Sequence, residues 1–183
     1  MPSAIRPEDL DKKQIFLILA TPANIRRRNI ELIKEISSIG YHTIIVTINF
    51  PYNILSKLYE ENGVDLKTVS FIDAVTRNSI GSAENIPGVV RFVNNPANLT
   101  DLGIAVTEVL KEHSGKKVCI LYDSVSTMLI YLSSQNISKF IHFVTNKLRL
   151  MDISGVFLAV EKGLDPMLIS QLTTFVDHVI DTG

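Results

Sequence analysis

The chain has 183 residues, 46% of them apolar and 20% charged, with a net charge of −1. That balance suits one compact domain with a sizeable core and excludes wholesale disorder. Near-neutrality argues against a nucleic-acid or membrane-surface binder acting through its whole body, and the apolar runs are far too short for a membrane span.

The opening residues, "MPSAIRPEDLDKKQ", are polar and carry no signal-peptide segment, so a cytoplasmic location is expected. Residues 1–13 read as a flexible leader and residues 14–183 as a single domain. Residues 14–21 predict a buried strand, followed by a helix from about Asn24 to Ile39 that Gly40 ends. "YHTIIVTI" (41–48) is a second strand rich in β-branched residues. Pro51 opens a short helix, since its missing N–H is not needed in a first turn. "TVSFIDAV" (68–75) is a third strand, and the polar stretch "TRNSIGSAENIPG" a loop. After a short strand at Val89 to Val93, Thr100 is expected to cap the helix "DLGIAVTEVLKEH". "KKVCILYD" (116–123) is the most apolar strand, and its Cys119 reads as a buried, inert thiol with no partner for a disulfide. Helical segments at about 124–133 and 138–151, parted by "SSQN", precede the strand "VFLAVE". A helix from Asp165-Pro166 and a short strand in "DHVIDTG" complete the chain.

Strands and helices alternate, and the strands are continuous apolar runs, the mark of strands covered on both faces. The expected fold is therefore α/β: a three-layer α/β/α domain with a mostly parallel central sheet. In such sheets ligands bind beyond the carboxyl ends of strands. That picks out residues 20–28, residues 48–52 and Asp123-Ser124.

The run "VCILYDSVSTML", an apolar strand ending in Asp123 and Ser124 before a helix, resembles the Walker B strand of the RecA/KaiC-like ATPases. "VSFIDAV", "GVFLAVEKG" and the closing "FVDHVIDTG" are similar to further strands of that family, and the likeness in element order covers roughly residues 14–183. It has an archaeal cast; a domain of unknown function sharing the strand–Asp–helix unit is the second reading. The resemblance implies a RecA-like P-loop NTPase core, with a phosphate loop between the first strand and helix. That loop needs glycines for close backbone approach, a lysine for the β- and γ-phosphates, and a hydroxyl for magnesium. Here the matching turn is Thr21-Pro22-Ala23-Asn24-Ile25-Arg26-Arg27-Arg28, with no glycine, a proline that lacks a donor, and no following Ser or Thr. KaiC-like members also carry glutamates after the second strand to activate water; Asn49-Phe50-Pro51 stands there instead. Against the family pattern, hydrolysis is expected to be lost.

Arg26, Arg27 and Arg28 have two readings. They are a site for an anion or acidic partner at a helix start, or a solvated charged face balanced by Glu31 and Glu35. Asp123 is either a relic magnesium ligand or a helix cap. The histidines at 42, 113, 142 and 178 show no metal spacing. No catalytic residue and no metal site is assigned.

These readings point to a catalytically degenerate RecA/KaiC-like domain, a pseudo-ATPase without cofactor that acts as a regulatory or scaffolding module. Its partner is expected to be a protein, a paralogous ATPase or further copies of itself, since the family assembles side by side into homo-oligomers. The alternative is an atypical nucleotide binder or slow ATPase that holds ATP and magnesium through Arg26–Arg28 and Asp123, which Arg27→Ala would abolish. Nucleic-acid binding would need a second basic cluster, and the sequence has none.

Overall fold

A computed structural model describes residues 5–183 of the chain. Seven strands form one sheet: β1 (Ile15–Ala20), β2 (His42–Thr47), β3 (Val69–Asp73), β4 (Val90–Phe92), β5 (Val118–Asp123), β6 (Ser154–Val160) and β7 (His178–Asp181). Their order is β4-β3-β2-β5-β6-β1-β7, and every pair is parallel. The helices are α1 (Pro7–Asp11), α2 (Ile25–Ser38), α3 (Tyr52–Glu61), α4 (Thr76–Ile80), α5 (Leu99–Glu112), α6 (Ser134–Leu150) and α7 (Pro166–Phe175).

Burial on both faces explains the continuous apolar strands. Along β1, Phe16 and Ile18 face a core completed by Leu32, Ile33 and Ile36 of α2 and by Leu55 and Tyr59 of α3. Ile15, Leu17 and Leu19 face the opposite core, closed by α5, α6 and α7. Each such side chain contributes about 1.5–3 kcal/mol when fully buried. The result is the three-layer α/β/α domain expected from the alternation of elements. Among the described residues no helix is long and apolar enough to cross a membrane.

The structure departs from the sequence reading in several places. Residues 1–4 of the expected leader lie outside the described residues. From residue 5 the chain is packed rather than loose: Ile5 and Leu10 are buried, and Ser154 Oγ donates to the Leu10 carbonyl at 2.9 Å. The stretch after β3 opens with α4 instead of remaining a loop. Asn98, not Thr100, caps α5, its side chain accepting from the Asp101 N–H. Of the helical segment expected at 124–133, only a 3₁₀ turn over Ser126–Ile130 forms. "SSQN" is no gap: Ser133 caps α6, which starts at Ser134.

Asp73, read only as part of a strand, holds the carboxyl edge of the sheet together. Fully buried, it accepts from the Tyr52 N–H at 2.8 Å, from the Val75 and Thr76 N–H groups at 2.7 and 2.8 Å, and from Thr76 Oγ1 at 2.6 Å. One carboxylate thereby fixes the starts of both α3 and α4, satisfying donors that a helix N-terminus leaves free.

Candidate functional site

The three places picked out by the carboxyl-end rule meet in space. The turn after β1 supplies Pro22 and Ala23, and the first turn of α2 Arg26; the turn after β2 supplies Asn49 and Phe50; the end of β5 supplies Asp123. They line one cavity of about 420 Å³, whose remaining wall is Ile25 and Asn29 of α2 with Leu55 and Leu58 of α3.

At its base lies a buried polar chain. Tyr59 Oη donates to Asn29 Oδ1 at 2.7 Å, and Asn29 Nδ2 donates to Asp123 Oδ2 at 3.1 Å. Asp123 is only 4% exposed. Burial penalises its charged form and raises the carboxyl to about 6, an effect that the positive charge of Arg26 partly offsets. Tyr59 is pushed upward by burial, then by the Asp123 charge, against a smaller opposing pull from Asn29, so its phenol stays a donor.

The three arginines part ways. Arg26 lies over the Phe50 ring at 4.8 Å, at the cavity wall, a cation–π contact, and makes no ion pair among the described residues. Arg27 does not line the cavity: it is 67% exposed, lies 3.6 Å from Glu31 and donates to Asn24 Oδ1 at 3.3 Å. Arg28 is 11% exposed and pairs with Glu31 at 2.8 Å and Glu35 at 3.9 Å. Arg27 and Arg28 both pair with Glu31, Arg27 in solvent and Arg28 nearly buried; of the three, Arg26 lines the cavity with Asp123.

Asp123 does not cap the following turn. Ser124 does that work: its Oγ accepts from the Thr127 N–H at 3.4 Å and shares hydrogen bonds with the hydroxyls of Ser126 and Thr127. Asn29 and Tyr59 were missed as site residues, although Asn29 offered a signal. It falls at helical spacing with Ile33 and Ile36 on the buried stripe of α2, where an amide needs a polar partner.

The other titratable groups lie elsewhere. His42 and His113 stack at 4.9 Å at the amino end of the sheet, where burial, His113 and Lys116 lower His42 to about 4. Cys119 is fully buried and its thiol is pushed up to about 12. Among the described residues no three His, Cys, Asp or Glu side chains converge as a metal site.

A model of a family of unknown function (DUF7504) matches residues 32–182. No curated protein matches the chain. Among solved structures, an uncharacterized protein, PH0321, from Pyrococcus horikoshii, crystallised in complex with an unknown peptide, is 16% identical with a TM-score of 0.71; the match covers 96% of this chain and 82% of that one. A KaiC-like protein, PH0186, from Pyrococcus horikoshii OT3 is 13% identical with a TM-score of 0.65, covering 93% and 72%. At these identities the likeness shows the fold, which is RecA/KaiC-like.

Proposed function

The chain belongs to DUF7504, a family of unknown function, and we propose that it is a catalytically degenerate RecA/KaiC-like domain that works by binding another protein, as a regulatory or scaffolding module. The observation that carries this reading is how the carboxyl-edge cavity is furnished. A magnesium-bound triphosphate needs a cradle of backbone N–H groups, a hydroxyl on the metal and a free carboxylate. The turn after β1 presents Pro22 and Ala23 instead of glycines, and Asn29 follows the arginines where the hydroxyl would stand. Among the described residues the carboxylate lining the cavity is that of Asp123, already holding Asn29 and penalised by burial when charged. Asn49 and Phe50 stand where a general base would activate water, and neither takes up a proton at neutral pH. ATP with magnesium does not fit this donor set.

A domain that keeps its fold without those parts still offers surfaces, and partners of two kinds suit it: further copies of the chain or a paralogous ATPase. PH0321, which shares the fold, was crystallised with a peptide; the present reading gives this chain a protein partner as well. The test is calorimetric titration of the folded protein with ATP, ADP and a non-hydrolysable analogue, with and without magnesium. No heat is expected. Saturable, magnesium-dependent binding would overturn the reading.

One observation favours a second reading, that of an atypical nucleotide or anion site. Arg26 makes no ion pair among the described residues and stands against Phe50 at the wall of a cavity with Asp123 at its base. The variant that isolates this reading is Arg26→Ala rather than Arg27→Ala, because Arg26 lines the cavity and Arg27 does not. If the titration produces heat, Arg26→Ala should remove it and Arg27→Ala should not.

A further inference from the structure

Away from the carboxyl edge, α5 and α6 leave a groove of about 670 Å³ between them. Its walls are apolar: Ile104 is 51% exposed and Phe143 46% exposed, with Leu99 and Phe140 beneath. Gly103 shapes it. A Cβ there would stand 3.3 Å from Phe143 Cε1, so the glycine lets the Phe143 ring lie against α5. Glycine disfavours a helix interior, and close approach of that ring is what it provides here. Two large apolar side chains half exposed on facing helices are more than the scattered singles an ordinary surface shows.

The rim decides what the groove takes. Glu108 also lines the groove, but its carboxylate is paired with Arg91. Lys111 and Lys139, on opposite helices, make no ion pair among the described residues. The groove is thus an apolar floor whose rim carries two lysines without an ion pair among the described residues and one carboxylate already held by Arg91. A second copy seated face to face would bring the same lysines to the shared rim, like charge against like. A chain with apolar residues on one helical face and carboxylates beside them fits both parts.

We propose that the α5/α6 groove docks an acidic amphipathic helix of a partner protein, its apolar stripe on Ile104 and Phe143 and its carboxylates on Lys111 and Lys139. This rests on the reading of the chain as a protein-interaction module and names the partner's chemistry. The positions of α5 that line the groove, from Thr100 through Ile104 and Thr107 to Lys111, run along about three turns. A partner helix of similar length covers them.

The test is fluorescence anisotropy with a labelled synthetic peptide of about 12 residues, with leucines at i, i+3, i+4 and i+7 and glutamates on the flanks. Its control carries lysine for every glutamate. Saturable binding of the acidic peptide is expected, weakened about tenfold, or about 1.4 kcal/mol, by Phe143→Ser and also by Lys139→Glu. The second variant changes an exposed charge and leaves the core intact; it should also gain affinity for the basic peptide. The proposal is overturned if the acidic peptide does not saturate, if the basic peptide binds wild type equally well, or if neither variant weakens binding. It is also overturned if sedimentation finds a dimer that Phe143→Ser dissolves, which would give the face to a second copy. Failure here leaves the calorimetric result, and the broader reading, untouched; nucleotide binding would sink that reading without touching the groove.

Discussion

Asp123 carries a cost that the rest of the core does not share. Its carboxyl sits at about 6 in the folded chain against an ordinary 3.8, so between those values the folded chain holds a proton that the unfolded chain releases. The contribution of this group is fully present below about pH 4 and is lost as pH rises through about 6. Above that window an ionised Asp123 is held almost out of water with one amide donor, and the fold bears the penalty. Asp123→Asn keeps an acceptor for Asn29 Nδ2 and removes the charge. It should stabilise the protein by about 1–3 kcal/mol at pH 8, given roughly 1.4 kcal/mol per pKa unit, with the gain fading toward pH 4. Urea unfolding of the two proteins at both pH values measures it; equal stability at pH 8 would show that Asp123 is solvated. His42 works in the opposite sense. Lowered to about 4, it binds protons more readily when unfolded, so its contribution is present above about pH 6.5 and is lost as pH falls toward 4.

At the scale of elements, α6 packs closely onto β6. Gly155, the second residue of β6, lies under Leu148 of α6, and a Cβ at 155 would fall 2.6 Å from Leu148 Cδ1 and 3.4 Å from Ile120 Cγ2. Leu148 and Ile120 are both fully buried, so the leucine has no solvent to swing into. Gly155→Ala should therefore destabilise by about 1–3 kcal/mol, the usual cost of overfilling a packed core. Leu148→Val shortens the colliding side chain, and the double variant should lose less than the sum of the two single losses. Thermal unfolding of the four proteins closes that cycle; strict additivity would mean that helix and strand accommodate the methyl separately. From sequence, Gly155 stands just before the expected strand "VFLAVE" with no sign that glycine is required there, because the need for glycine is set by a side chain on another element. The same limit explains Thr100. Hydroxyl and aspartate in sequence suited a cap, but the turn before α5 brings the Asn98 side chain to the Asp101 N–H instead. Short-range chemistry made the existence of the long helices and the apolar strands legible, and left the choice among neighbouring caps to the geometry of the turn.

At the scale of the whole molecule, an early strand and the last one meet at one flank of the sheet. Alternating apolar strands and amphipathic helices announced a parallel three-layer domain, but nothing local in "IFLILA" says that its neighbours are β6 and β7, about 140 to 160 residues later. The candidate site was legible in the same partial way: the carboxyl-end rule named three turns, while their convergence on Asn29 and Tyr59 depended on that strand order. β7 bears on both. It covers one edge of β1 from Phe16 to Leu19, and the connection before it adds the Asp177 carboxylate, which accepts from the Ile15 N–H at 2.8 Å. After β7, the Thr182 N–H donates to the Leu19 carbonyl at 2.9 Å, and Asn24, in the turn that walls the cavity, donates through Nδ2 to the Gly183 carbonyl at 3.3 Å. Removing residues 176–183 would turn the most apolar flank of the sheet into an open edge, with Phe16, Leu17 and Ile18 along it and unpaired N–H groups between them. Such an edge templates pairing with another chain. The truncated protein should therefore associate into large species, rather than persist as a monomer of lower stability, and should do so more strongly at higher concentration. Size-exclusion chromatography with light scattering distinguishes the two outcomes. A monodisperse monomer with native circular dichroism would mean that α7 and the first turn of α2 protect β1 without the last strand.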